Sequence, residues 1–179
     1  LSLARMLLFG ARDIWFVVAL PVFLQSELNW SYWQVGSLMA LWVIGYGGVQ
    51  AMAPRITSAM KSKGQASTID GRLTAYWGSL LVVIPLIMAI GLNIFDNTGV
   101  TIILGLVPFA FVFAVNSSVH SYLILAYAER DSVSLDVGFY YMANAGGRLL
   151  GTILSGIVYQ SFGLASCLLI SSVMILFST

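Results

Sequence analysis

The sequence predicts an all-α integral membrane protein: one bundle of six transmembrane helices spanning residues 1–179. Three observations predict it. Hydrophobic residues make up 59% of the chain and charged ones 8%, where a soluble domain carries about 25% charged residues. The apolar residues form six continuous runs, not the alternating pattern of membrane strands. Lys and Arg outside those runs gather in every second connection, the asymmetry that orients membrane helices.

The runs are 3–26, 32–53, 73–93, 100–128, 137–161 and 164–179. Each is about as long as the hydrocarbon requires, except the last, which is short. The first is no signal peptide, because it is too long and carries Arg12 and Asp13 within it. Pro85 and Pro108 interrupt the third and fourth runs and predict kinks there. SELNWS, NIFDNTG and SFG, the first, third and fifth connections, contain no Lys or Arg. The second, residues 54–72, holds Arg55, Lys61, Lys63 and Arg72; the fourth holds Arg130; and Arg5 is read as the entry of the first helix. The basic side is then cytoplasmic, with residues 54–72 as a cytoplasmic basic loop and both ends of the unit inside. The chain opens at Leu1 and stops within an apolar run, so we expect a piece of a longer protein.

A net charge of +1 provides no basic field for nucleic acid. The single cysteine, Cys167, rules out an intrachain disulfide or a thiolate metal cluster. No metal-ligand spacing, nucleophile elbow or phosphate loop is present, so neither enzyme nor cofactor is expected. Without a nucleotide site, transport would be secondary.

The informative residues are the polar ones inside the runs. An ionised side chain at the centre of a membrane helix costs about 2.5–3.5 kcal/mol on insertion scales, which marks it as functional. Arg12 and Asp13 lie about 10 Å inward from Arg5 at 1.5 Å per residue. His120 and Asn116 lie about 12 and 18 Å from the 128 end of the fourth run, and Asn144 and Arg148 equally far from residue 136 on the fifth. Three helices therefore place polar groups in one slab. Tyr141, Asn144, Arg148 and Thr152 continue one stripe, which must face water or a partner. Two Arg against one Asp leave the slab positive, and planar guanidinium forks suit oxyanions. The expected solute is a small anion bound by Arg12, Arg148, Asn116, Asn144 and Tyr141. Asp13 and His120 serve ion coupling or charge balance. Arg12 and Asp13 point about 100° apart on the helix and are not expected to pair. The bland alternative is that Asp13 pairs with Arg148 and the charges only lock the bundle. Ala143, Gly147, Gly151 and Ser155 repeat every four residues, a small-residue ladder that predicts close helix packing.

Six spans, two cytoplasmic ends and a basic loop after the second span resemble half of a major facilitator superfamily permease, the carboxy-terminal one. LLFGARDIWFVVALPVFL, WQVGSLMALWVIGYGGVQAMAPR, AVNSSVHSYLILAYA and GFYYMANAGGRLLGTILSGIVYQ are similar to the organoarsenical efflux permeases of bacterial arsenic-resistance operons. The resemblance implies half of a twelve-helix fold in the bacterial inner membrane, with lipid and a missing amino-terminal six-helix half as partners. It implies export of arseno-phosphoglycerate, and a solute site between the halves near the midplane. The superfamily's loop signature is degenerate here: Pro54-Arg55 begins it and no Gly-x-x-x-Asp-Arg follows.

Overall fold

A computed structural model describes residues 2–59, 71–127 and 133–179. Those residues form helices and no strand: α1 (Ser2–Phe16), α2 (Ala19–Ser26), α3 (Tyr32–Ala59), α4 (Gly71–Ile94), α5 (Thr98–Tyr127) and α6 (Val133–Ser178). Five stretches among them are long and apolar enough to cross a membrane. Most of the basic loop expected at 54–72, including Lys61 and Lys63, lies outside the described residues, though α3 carries helix on to Ala59. The Arg130 connection lies outside them too.

Two boundaries differ from the sequence reading. The first run is broken between α1 and α2 at Val17 and Val18. Pro21 explains it: its ring meets the carbonyl of residue 17 and it donates no hydrogen bond there. The break frees the Ala19 amide, which donates to Ser155 Oγ at 3.0 Å. The fifth and sixth runs were expected as separate spans, but helix continues through SFG with only Gly163 out of helical conformation, at φ 74°. That left-handed φ suits glycine. The two arms of α6 nevertheless fold back on each other. Gly10 of α1 packs against both Gly151 and Met174, residues that a straight helix would hold about 34 Å apart.

α1 is the central helix. It runs parallel to the first arm of α6, with Met6 against Gly147 and Gly10 against Gly151. The second arm returns along its other side, where Ser171 Oγ donates to the Ala11 carbonyl at 2.6 Å. α5 runs antiparallel to α1, pairing Trp15 with Phe109 and Phe9 with Phe113 at centroid distances of 5.0 and 5.3 Å. α3 packs on α5, where Trp42 donates to the Leu106 carbonyl at 2.9 Å. α4 packs on α5 and α6.

The ladder thus lies in the α1–α6 seam. Ala143 is half-buried at one end, and Ser155 caps the broken helix at the other. A Cβ on Gly147 would run into the Met6 carbonyl, and one on Gly151 would stand 2.5 Å from the Gly10 carbonyl. Both contacts are with backbone, which cannot swing aside. Gly156, on the same arm, has nothing within 4 Å of its Cβ position. Gly147→Ala is expected to destabilise the bundle by about 1–3 kcal/mol. Gly156→Ala should be neutral or slightly stabilising. Thermal unfolding of the two variants in detergent checks the contrast.

Candidate functional site: a carboxylate between two guanidiniums

Asp13 is 1% exposed, on the α1 face that meets Gly151. Its Oδ1 accepts from Arg12 Nε at 2.6 Å, and its Oδ2 accepts from Arg148 Nε at 3.2 Å. The expectation that Arg12 and Asp13 do not pair is therefore corrected. The helical offset separates their Cβ atoms, but the long Arg side chain folds back to its neighbour's carboxylate. The buried carboxylate also pairs with Arg148, as the bland alternative had it.

Each guanidinium is held by one nitrogen. Asp13 takes the Nε of both, and the outer Nη nitrogens of Arg12 and Arg148 make no hydrogen bond among the described residues. The Arg12 side chain is 11% exposed and lies over Phe9 and Phe113, 5.0 and 5.4 Å from the ring centres. The Arg148 side chain is 59% exposed at the rim. Two cations and one carboxylate leave the triad at +1, with both Nε donors fixed by Asp13. Such forks match carboxylate, phosphate or arsenate oxygens bidentately.

Arg5, in the first turn of α1, is 4% exposed inside the bundle. Its Nη1 donates to the Ser117 carbonyl at 3.0 Å and to Ser117 Oγ at 2.9 Å. Its guanidinium carbon sits 4.0 Å from the Phe9 ring centre and 4.8 Å from that of Tyr140. Phe9 thus has a guanidinium at each end of its environment, Arg5 and Arg12. Sequence reasoning missed Arg5, Phe9, Ser117 and Tyr140. One signal was available: positions 5, 9 and 12 share a helical face.

None of the other expected residues is hydrogen-bonded to Arg12, Asp13 or the Arg148 side chain among the described residues. Asn116 and His120 are 1% and 2% exposed on α5, and neither bonds to Arg12, Asp13 or Arg148. Asn116 Oδ1 and His120 Nδ1 have no partner. Asn144 is half-buried and its Oδ1 is also unpartnered. Tyr141 is 61% exposed; its neighbour Tyr140 is the buried tyrosine, in hydrogen-bond range of Ser121 Oγ at 3.2 Å. Thr152 Oγ1 donates back to the Arg148 carbonyl at 2.8 Å. Among the described residues no three His, Cys, Asp or Glu side chains are grouped to hold a metal.

Removing the carboxylate strands two cations, one of them buried, so Asp13→Asn is expected to cost about 3 kcal/mol or more. Arg148→Gln removes an exposed partner and should cost under about 1 kcal/mol. Thermal unfolding midpoints of the two variants give the comparison; equal losses would deny Asp13 its central place. No protein-family model, curated protein or solved structure matches this chain, so the geometry of the triad carries its functional reading.

Proposed function

We propose that this chain is part of a secondary transporter that binds an anionic organic solute at Arg12 and Arg148 and exports it. One observation carries the reading: Asp13 pins both guanidiniums by Nε and leaves their outer nitrogens without a partner among the described residues. A triad serving packing alone would be enclosed on all sides, yet Arg148 stands 59% exposed on an apolar membrane helix. Exposed to lipid, that charge would be costly; facing a water-filled path, it is positioned to meet a solute. In this reading Asn116, Asn144 and Tyr141 contribute polar contacts once the solute is bound. Asp13 balances charge, and His120 stands by as a titratable neighbour.

The same reading makes the chain the carboxy-terminal half of a major facilitator permease in a bacterial inner membrane. α1 and α5, which carry Arg12, Asp13, Asn116 and His120, then line the path. The solute fitting the sequence resemblance is arseno-phosphoglycerate, whose export confers arsenate resistance. An anion leaving a negative-inside cell gains about 2.3 kcal/mol per charge per 100 mV, so export needs little additional driving force.

In the full-length protein, Arg12→Ala and Arg148→Ala are each expected to abolish arsenate resistance at unchanged membrane levels. Arg12→Lys should lower export about tenfold, because an ammonium offers no planar fork. The decisive assay is uptake of labelled arseno-phosphoglycerate into everted vesicles, with phosphoglycerate and arsenate as competitors. Normal uptake by both Ala variants would remove the anion site.

A further inference from the structure

Arg5 is a buried cation without a carboxylate. Both ion pairs among the described residues go to Asp13, from Arg12 and Arg148. Arg5 instead has two ring faces and the neutral oxygens of Ser117, and its Nε is buried with no partner. A buried charge ordinarily needs an opposite charge as well as hydrogen bonds. Three guanidiniums and one carboxylate thus leave this part of the bundle at +2.

The placement of Arg5 is as telling as its charge. It lies seven residues before Arg12 on the same face of α1, about 10.5 Å lower along the axis. Both side chains lean toward Phe9, with guanidinium carbons 4.0 and 5.0 Å from that ring's centre. Two cationic posts therefore flank one aromatic ring, at a separation that a short solute spans.

We infer that Arg5 is a second oxyanion subsite, so that the solute carries two anionic groups, one held by Arg12 and Arg148 and the other reaching Arg5 across Phe9. The second anionic group would meet the one guanidinium of the three that has no carboxylate partner among the described residues. Ser117 holds the Arg5 fork through Nη1 and leaves Nε for the incoming oxygen.

This inference rests on the anion clamp proposed above, and the test separates the two. The probes are 3-phosphoglycerate, with a phosphate and a carboxylate at opposite ends, and glycerol 3-phosphate, which lacks the carboxylate. Binding of each to the purified full-length protein is measured by calorimetry. The unmodified protein should prefer 3-phosphoglycerate about tenfold, the worth of one charge-assisted hydrogen bond. Arg5→Gln should erase that preference and leave glycerol 3-phosphate affinity within about twofold. Arg5→Lys, which keeps the charge, should retain part of the preference. Arg12→Gln should weaken both probes together. Equal binding of the two probes by the unmodified protein overturns the second subsite and leaves the clamp standing; that comparison needs no variant to fold. Equal weakening of both probes by Arg5→Gln reduces Arg5 to a packing role and also overturns the subsite. Binding of neither probe by the unmodified protein overturns the clamp and the subsite together.

Discussion

Both carboxylate oxygens of Asp13 are occupied, each by a guanidinium from a different helix. In a membrane bundle that arrangement fixes more than charge balance. An ionised carboxylate in low dielectric holds its cations strongly, so Asp13 sets where Arg12 and Arg148 point. It also ties α1 to the first arm of α6 at mid-helix. The tie is short because the helices are close, and they are close because Gly147 and Gly151 present no side chain to the Met6 and Gly10 carbonyls. The small-residue ladder and the charge triad are thus one device. A bulkier residue at 151 would press on Asp13 Cβ, which lies 3.1 Å from the Cβ position of that glycine. Packing distance decides ion-pair geometry, and ion-pair geometry decides which guanidinium nitrogens remain free.

Aromatic rings do for the surplus cations what carboxylates do for Arg12 and Arg148. Their faces carry partial negative charge and add little polar surface to desolvate. Phe9, Phe113 and Tyr140 accept Arg5 and Arg12 in this way. The ring system continues as a cluster through Phe109, Trp15, Trp42 and Tyr46, which joins α1 and α5 to α3. The same side chains therefore form the apolar core of that seam and stabilise its charge.

Helical class was legible in the sequence because continuous hydropathy is a composition signal that needs no tertiary knowledge. The placement of Arg12, Asp13 and Arg148 inside apolar helices was legible for the same reason. Pairing was not. The 100° offset between Arg12 and Asp13 describes Cβ directions, whereas a guanidinium sits several bonds further out and takes its direction from the field around it. The enclosure of Arg5 was not legible, because hydropathy says nothing of what packs over a charge near a helix start; the structure closes Phe9, Tyr140 and Ser117 over it. Pro21 was a readable breaker, masked by the unbroken hydropathy of the run around it. At Gly163 the reverse holds. The sequence suggested a connection, and the chain turns back there with a single residue leaving helical conformation.

The two irregular points limit which parts of the bundle move together. Residues 2–16 of α1 are fastened to both arms of α6, by Asp13 to Arg148 on one side and by the Ala11 carbonyl to Ser171 on the other. Beyond the break, α2 holds to α6 through Ser155 at the Ala19 amide and through the Ser26–Tyr159 hydroxyl contact. A broken helix in lipid needs such a partner, because a freed amide finds no water there. α1 and α6 therefore form one body around the triad. Its polar attachments to α5 among the described residues include the Arg5–Ser117 pair and the Tyr140–Ser121 hydroxyl contact, and rings of α1 and α5 pack between them and the α2 end.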